Sequence, residues 1–335
     1  MDRPPTMEDV ARLAGVSRAL VSIVYRDAPG ASDATRTRVL AAGNDLGYRP
    51  DHRARLLGRT RTRLLGVTFD VRAPFHGDLV EVLYSAAEAA GYDLALSAVA
   101  PSRGESRAVQ SLLDYRCEAL ILLGPQLSPS ALSALAESQP VIVIGRKVRA
   151  AGVDVVRTDD KGGSRLAVEH LLSLGHRAIL HIDGAKFPGS AERRTGYRAA
   201  MRHAGLSPFI QPGGRTEADG SDAAKTFLND SPPVTAVTLF NDRAATGFLD
   251  TIRQSSLEIP RDLSVVGYDN STIAALSHIS LTTVAQNTTA LANQTIAIAQ
   301  TRLTDPNATT AAVVIPPTLV LRSTTAPPRS AGCTG

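Results

Sequence analysis

Apolar residues in the first fifty positions recur three and four apart. Val10, Ala11 and Ala14, then Val16, Leu20, Val21 and Val24, give two short segments one apolar stripe each, which predicts two helices joined by a tight turn. Thr6 starts the first helix, because its hydroxyl can accept from the Asp9 backbone N–H while the Asp9 carboxylate reaches back. Gly15 ends it, since glycine takes a left-handed conformation without the steric cost of a Cβ. Ser17 caps the second helix and leaves Arg18, Ala19, Ser22 and Arg26 on the face away from the stripe. A third helix runs from Ser32 to about Leu46, with Arg36 and Arg38 early and Val39, Leu40 and Leu46 as core. Tyr48-Arg49-Pro50 closes this head, because proline pushes the preceding residue out of the helical region. Two helices joined by a short Gly-containing turn form the DNA-binding helix-turn-helix, whose second helix enters the major groove. Periodicity alone fits an ordinary amphipathic hairpin equally well.

From Leu64 onward the pattern changes to short apolar runs alternating with helical stretches. Strands are predicted at 64–69, 94–99, 119–123 and 141–144, with helices near 78–90 and 104–115, the signature of a parallel sheet wrapped by helices. A second round follows, with strands near 178–183, 235–240 and 263–268 and helices near 161–174, 190–204, 219–229 and 243–255. Each round opens with a strand, a Gly/Pro loop and a helix ending in Ala-Gly (Ala90-Gly91, Ala204-Gly205), which suggests two similar lobes. Ligands of open parallel sheets bind outside the carboxyl ends of the strands, so a pocket is expected between the lobes.

Charge separates the two readings of the head. Residues 1–63 carry twelve Arg, no Lys and seven Asp or Glu, a net charge of +5, while the whole chain is +4 and the remainder therefore −1. A basic head on a near-neutral body is the footprint of phosphate-backbone binding. Five of those arginines fall between 53 and 63, with no acid after Asp51. Any helix in so short a linker is marginal alone and should depend on a partner to fold.

The rest of the composition narrows the class. At 335 residues and 43% hydrophobic, the chain can form a small head and one or two sizeable cores. Its first ten residues hold no apolar signal region and its apolar runs are too short to span a bilayer, which points to a soluble, cytoplasmic protein with no membrane partner. Cys117 and Cys333 are the only cysteines, leaving no disulfide framework or zinc cluster.

Seven segments, in order, carry a family resemblance over nearly the whole chain: MEDVARLAGVS (7–17), YRPDHRARLLG (48–58), DDKGGSRLAVEHLLSLGH (159–176), RRTGYRAAM (193–201), LFNDRAATG (239–247), LSVVGYDN (263–270) and LTTVAQ (281–286). The sequence resembles the lac repressor (LacI/GalR) family of transcription regulators. That implies an α/β fold class: a three-helix helix-turn-helix head at 1–49, a hinge helix and linker at 50–63, and a two-lobed effector and dimerisation domain at 64–323 with two parallel sheets, related to periplasmic sugar-binding proteins. The N-lobe would take about 64–160 and 287–315, the C-lobe about 161–286 and 316–323, and 324–335 would be a disordered tail.

The resemblance also implies site residues. DNA contacts are expected from Thr6, Met7, Ser17, Arg18, Ala19, Ser22, Arg26, Arg36, Arg38, His52 and Arg55, with Leu57 as a minor-groove wedge, a device that kinks the duplex. The recognition helix departs from the common pattern in having Leu20, Ile23 and Arg26, which leaves Arg18 and Arg26 as readers of bases and Ala19 as an apolar contact; Ile23 fits either a thymine methyl or the core of the head. Effector positions fall on Asp70, Phe75, Arg193, Asn241 and Asp269, a set suited to a sugar or polyol. For Asp269 and Asn241 turn capping is an equal alternative, whereas Arg193, a cation at a helix start, opposes the helix dipole. The family's stacking aromatic falls on Arg215, read here as pointing to solvent, with pairing to an acidic group on the effector as the other reading. One head spans few base pairs, so a homodimer on a pseudo-palindromic operator is expected. The helix around 79–87 is a candidate for the dimer contact.

Two rival functions find less support. The nucleotide-binding and serine-hydrolase motifs are missing, and His170, His176 and His181 are spaced six and five apart, which does not place zinc ligands on one helix face. An enzyme, a cofactor and a bound metal are therefore not expected. Gly162-Gly163 reads as a hinge between lobes. A sugar carrier of the periplasmic-binding type without a DNA role is the alternative, but it would need an export signal and has no use for a basic head.

Overall fold

The computed structural model describes residues 3–49, 61–305 and 307–329, which separate into two units at Thr62. His52, Arg55 and Leu57, and with them the predicted hinge helix, lie outside the described residues.

The described residues of the first unit form three helices, α1 (Met7–Ala14), α2 (Arg18–Tyr25) and α3 (Asp33–Asp45). Thr6 and Asp9 form the reciprocal capping box, and Gly15 ends α1 at φ 62°. Ser17 and Ser32 cap α2 and α3 through their hydroxyls. Val10, Ala11, Ala14, Val21, Val24, Val39, Ala42 and Tyr48 make the core. Leu40 and Leu46, expected inside, are 45% and 36% exposed. The core face of α3 is instead Val39, Ala42 and Gly43, because the Tyr25 and Tyr48 rings, edge to face at 5.3 Å, already fill that space. A Cβ on Gly43 would strike the Tyr25 hydroxyl.

The second unit holds two six-stranded sheets. One has the order β11-β5-β4-β3-β1-β2 and is parallel throughout, built from β1 (Leu64–Asp70), β2 (Asp93–Val99), β3 (Ala119–Leu123), β4 (Val141–Ile144), β5 (Val153–Thr158) and β11 (Ala312–Ile315). The other has the order β12-β10-β9-β8-β6-β7, from β6 (Ile179–Ile182), β7 (Phe209–Gln211), β8 (Ala236–Leu239), β9 (Ser264–Asp269), β10 (Thr282–Ala285) and β12 (Thr318–Val320). Only β12, at its edge, runs antiparallel.

Period-two alternation divides each sheet between two cores. Leu65, Val67, Ile121 and Ile142 face α4 (Pro74–Ala89) and α11 (Thr288–Thr304). Leu120, Leu122, Val141 and Val143 face α5 (Glu105–Asp114) and α6 (Pro129–Ala136). In the second sheet Leu180, Val237 and Val265 pack under α9 (Glu217–Asp230) and α10 (Asp242–Arg253). Ile179, Val266 and Val284 pack under α7 (Asp160–Ser173) and α8 (Ser190–His203). The chain passes between sheets after β5, after β10 and between β11 and β12, so each lobe is assembled from separate stretches.

Two expectations need correction. Gly162 and Gly163 are not a hinge loop but the first turn of α7, where Gly163 lets the backbone approach the Tyr268 ring so closely that a Cβ would overlap it. Residues 324–329 are not disordered. Thr324 donates to the Val265 carbonyl at 2.7 Å and accepts from the Thr282 N–H at 2.9 Å, and the Ala326 carbonyl accepts from His176 at 2.9 Å. A threonine- and proline-rich stretch lacks the apolar content of a core element, but it can still satisfy buried backbone groups of the second sheet.

Candidate functional site

On the head, α2 presents Arg18 and Ala19 on its exposed first turn, and Arg26 is exposed at its end, with Nε donating to the Ser22 carbonyl at 3.0 Å. Ser22 is half-buried and Arg38 exposed on α3. Thr6 is engaged with Asp9, and Met7 packs on the head core. Ile23 is half-buried beside Gly30. Arg36 is committed elsewhere: it pairs with Asp27 at 2.8 Å and donates to the Ala28 carbonyl, tying down the loop between α2 and α3.

In the second unit the carboxyl ends of both sheets meet at a cavity of about 110 Å³, with Phe75, His76, Arg193, Arg215, Asn241 and Asp269 among its walls. Strand ends and helix starts converge there because each βα turn of a parallel sheet delivers its residues to that side. Of the five expected effector positions, four form the wall, and the fifth, Asp70, stands behind it.

Arg193 projects from the first turn of α8 and is 7% exposed. Its Nε donates to Asp160 at 2.8 Å, Nη1 donates to the Phe240 carbonyl, and Nη2 lies 3.5 Å from an Asp269 oxygen. The guanidinium also lies over the Tyr268 ring at 3.5 Å and the Phe240 ring at 4.7 Å. Burial disfavours its charge, but the carboxylates of Asp160 and Asp269 outweigh that and hold it protonated above the ordinary range. Arg193, expected as an effector contact, is thus the strut of a buried charge cluster as well as a cavity wall.

Asp269 ends β9 with φ 111° and accepts from Gln286 at 2.8 Å. Close by, Asp242 accepts from Thr283 and from the Ser271 N–H. Burial raises both carboxyls above the usual carboxylate range, and proximity to Asp269 adds to the rise at Asp242. Asn241 caps α10: its Oδ1 accepts from the Ala244 N–H at 2.8 Å and its Nδ2 donates to the Arg215 carbonyl at 3.2 Å. Capping and cavity-lining therefore coincide in one residue.

Arg215 does not point to solvent. It lies over the Phe187 ring at 4.3 Å and pairs with Asp70 at 2.8 Å, joining the two lobes beside the cavity. A local reading missed this because the partner sits on β1, far away in sequence. His76 also holds Asp70, accepting its backbone N–H on Nδ1 at 3.0 Å. Burial lowers the His76 pKa to about 4. Gln286 was missed as well, although it lies inside the segment LTTVAQ. It accepts from Thr158 of the first sheet at 2.6 Å and donates to Asp269 of the second. His176 and His181 serve as scaffold, bonding Thr235 and Thr238 respectively. Among the described residues, no group of three or more His, Cys, Asp or Glu is placed to hold a metal ion, and no helix is long and apolar enough to cross a membrane.

Residues 6–51 match the family of bacterial regulatory proteins, lacI family, and residues 168–325 match the periplasmic binding protein-like domain. The HTH-type transcriptional regulator DegA of Bacillus subtilis (strain 168) is 31% identical over 333 residues, 96% of this chain and 98% of the relative. GalR of Escherichia coli (strain K12) is 30% identical over 330 residues, 96% of each chain. A LacI transcriptional regulator from a Rhodococcus species superposes with TM-score 0.77 at 48% identity, covering 79% of this chain and 98% of that one. The lac repressor dimer bound to operator and the anti-inducer ONPF gives TM-score 0.80 at 28% identity, covering 97% and 100%. With the head, the two-sheet body and relatives that align along nearly its full length, the chain belongs to the lacI family of DNA-binding transcriptional regulators.

Proposed function

We propose that the chain is a cytoplasmic repressor that binds a pseudo-palindromic operator as a homodimer and changes its operator affinity when a small sugar-like effector enters the cleft. The observation that carries this reading is the meeting of Phe75, Arg193, Asn241 and Asp269 at one cavity where the strands of both sheets end. An aromatic face, a carboxylate and a guanidinium suit a ring bearing several hydroxyls.

On the head, Arg18 and Arg26 read base edges and Ala19 makes an apolar contact. Thr6, Met7, Ser17, Ser22, Arg38, His52 and Arg55 position the backbone, and Leu57 wedges into the minor groove. Arg36 leaves this set, since its guanidinium holds Asp27 and Ala28.

The test has two arms. Operator binding measured across a salt series should fall steeply, log affinity against log salt having a slope of about −0.9 per phosphate neutralised; a flat response removes the head from the reading. A thermal-shift screen of sugars and polyols should find a compound that stabilises the wild type and not Phe75→Ala, because a ligand at 100 times its Kd adds about 2.7 kcal/mol. A ligand that stabilises both equally places the effector elsewhere.

A further inference from the structure

The polar groups around the cleft divide unevenly between those already satisfied and those left over. Asn241 uses both ends of its amide within the fold. Gln286 does the same between Thr158 and Asp269. What remains is mostly N–H. The Nδ1 of His76 accepts from the Asp70 backbone, so the neutral ring carries its proton on Nε2, which a Cβ added to Gly124 of the cavity wall would meet at 3.6 Å. Arg215 adds a guanidinium that is 33% exposed, far more open than Arg193. Against these donors, Asp269 is the one carboxylate among the described wall residues, and its Oδ1 already takes Gln286 and lies near Arg193.

Each hydroxyl of a neutral polyol brings a donor as well as acceptor lone pairs, whereas an ionised carboxylate or phosphate only accepts. Arg215 and His76 are neighbours through one residue: Asp70 gives its carboxylate to the first and its N–H to the second. The Phe187 ring beneath Arg215 fixes the plane of the fork. Asp70 thus supplies, from the opposite lobe and behind the wall, the acceptor that an acceptor-only ligand group would replace on Arg215.

We propose that the effector is a sugar derivative bearing an anionic group, a phosphate ester or a carboxylate, which Arg215 and the Nε2–H of His76 bind while Asp70 gives up its place on the guanidinium. This rests on the reading of the cleft as the effector site.

Matched probes test it at constant ionic strength by thermal shift and calorimetry: ribose against ribose 5-phosphate, and glucose against glucose 6-phosphate and glucuronate. The phosphate and carboxylate arms separate the two sources of charge. At least one charged probe should stabilise the full-length wild type more than its neutral counterpart. Arg215→Met should weaken that probe by at least about tenfold, the loss expected for a charge-assisted fork. Arg198→Met, on the exposed face of α8, should leave it unchanged, and Asp70→Asn, which frees the fork, should tighten it by up to about fivefold. If only neutral sugars bind, and Phe75→Ala abolishes that binding, the anionic group is refuted while the cleft stands. Charged probes that bind equally well to Arg215→Met and Phe75→Ala sink both readings. Stabilisation by no charged probe also overturns the proposal.

Discussion

Replacing Arg193 by alanine tests whether the arginine is a strut or merely a ligand contact. The substitution leaves Asp160 and Asp269 buried without their shared cation, with Asp242 close to Asp269. Removing one partner of a buried ion pair costs about 3–5 kcal/mol. The stacking on Tyr268 at 3.5 Å and Phe240 at 4.7 Å is lost in the same step, and because these effects share one side chain they do not add. A loss of about 3–5 kcal/mol at pH 7.5 is the expected outcome.

The pH dependence follows from the carboxyls left behind. Burial already raises Asp160 and Asp269 above their ordinary value, and without the arginine they rise further. The folded variant then binds protons that the unfolded chain has released, so its stability falls as pH rises through the raised values and recovers as pH drops toward about 4. Urea unfolding followed by far-UV circular dichroism, at pH 5 and pH 7.5, gives the difference directly. A deficit under 1 kcal/mol at pH 7.5, or the same deficit at both pH values, would refute the strut. If it holds, loss of effector response in Arg193→Ala says nothing about ligand contact, and Phe75→Ala is the cleaner probe.

Tyr197→Phe should cost about 1–3 kcal/mol in the same assay, because the hydroxyl accepts from the Phe209 N–H at 2.8 Å and lies 2.7 Å from the Ile179 carbonyl. Gly163→Ala should cost a similar ~1–3 kcal/mol, since the new methyl meets the Tyr268 ring; unchanged stability would mean that α7 can shift freely. Truncation after Ser323 should cost about 2–4 kcal/mol through the lost bonds of Thr324 to Val265 and Thr282 and of Ala326 to His176. Light scattering of that truncated chain at micromolar concentration should still give a dimer.

The head was legible where capping chemistry marks helix ends, because Thr6, Gly15, Ser17 and Ser32 act on atoms three or four residues away. Leu40 and Leu46 misled because hydropathy ranks leucine above alanine and glycine, while the space beside α3 was already taken by two tyrosine rings. In the body, apolar strands such as β3 and β4 announce themselves, being buried at every position. Two of the strands that escaped notice, β5 and β10, contain buried polar residues. Asp154 of β5 accepts from the Ala311 N–H at 2.7 Å, and Thr282 and Thr283 of β10 bond to Arg322 and Asp242. Each breaks the apolar run that a strand reading requires, and each bonds to a residue that only the fold brings near.

The same distance in sequence explains why the cleft was only half legible. Positions such as Asn241 and Asp269 can be read singly as caps or contacts, but Arg215 has no meaning until Asp70 is placed beside it. The two arginines then differ in kind. Arg193 is enclosed with its carboxylates, so exchanging a partner for a ligand exposes a buried charge to the full penalty of being left unpaired. Arg215 and Asp70 are 33% and 14% exposed, so water reaches the arginine side of the pair and leaves it weaker than the enclosed one. A contact that weak adds little to the fold, yet it joins the lobes where the cavity lies. On the proposed reading of the cleft it can be traded for a ligand at small expense, and Arg215, more than the buried strut, is then where ligand specificity can change without unfolding the protein.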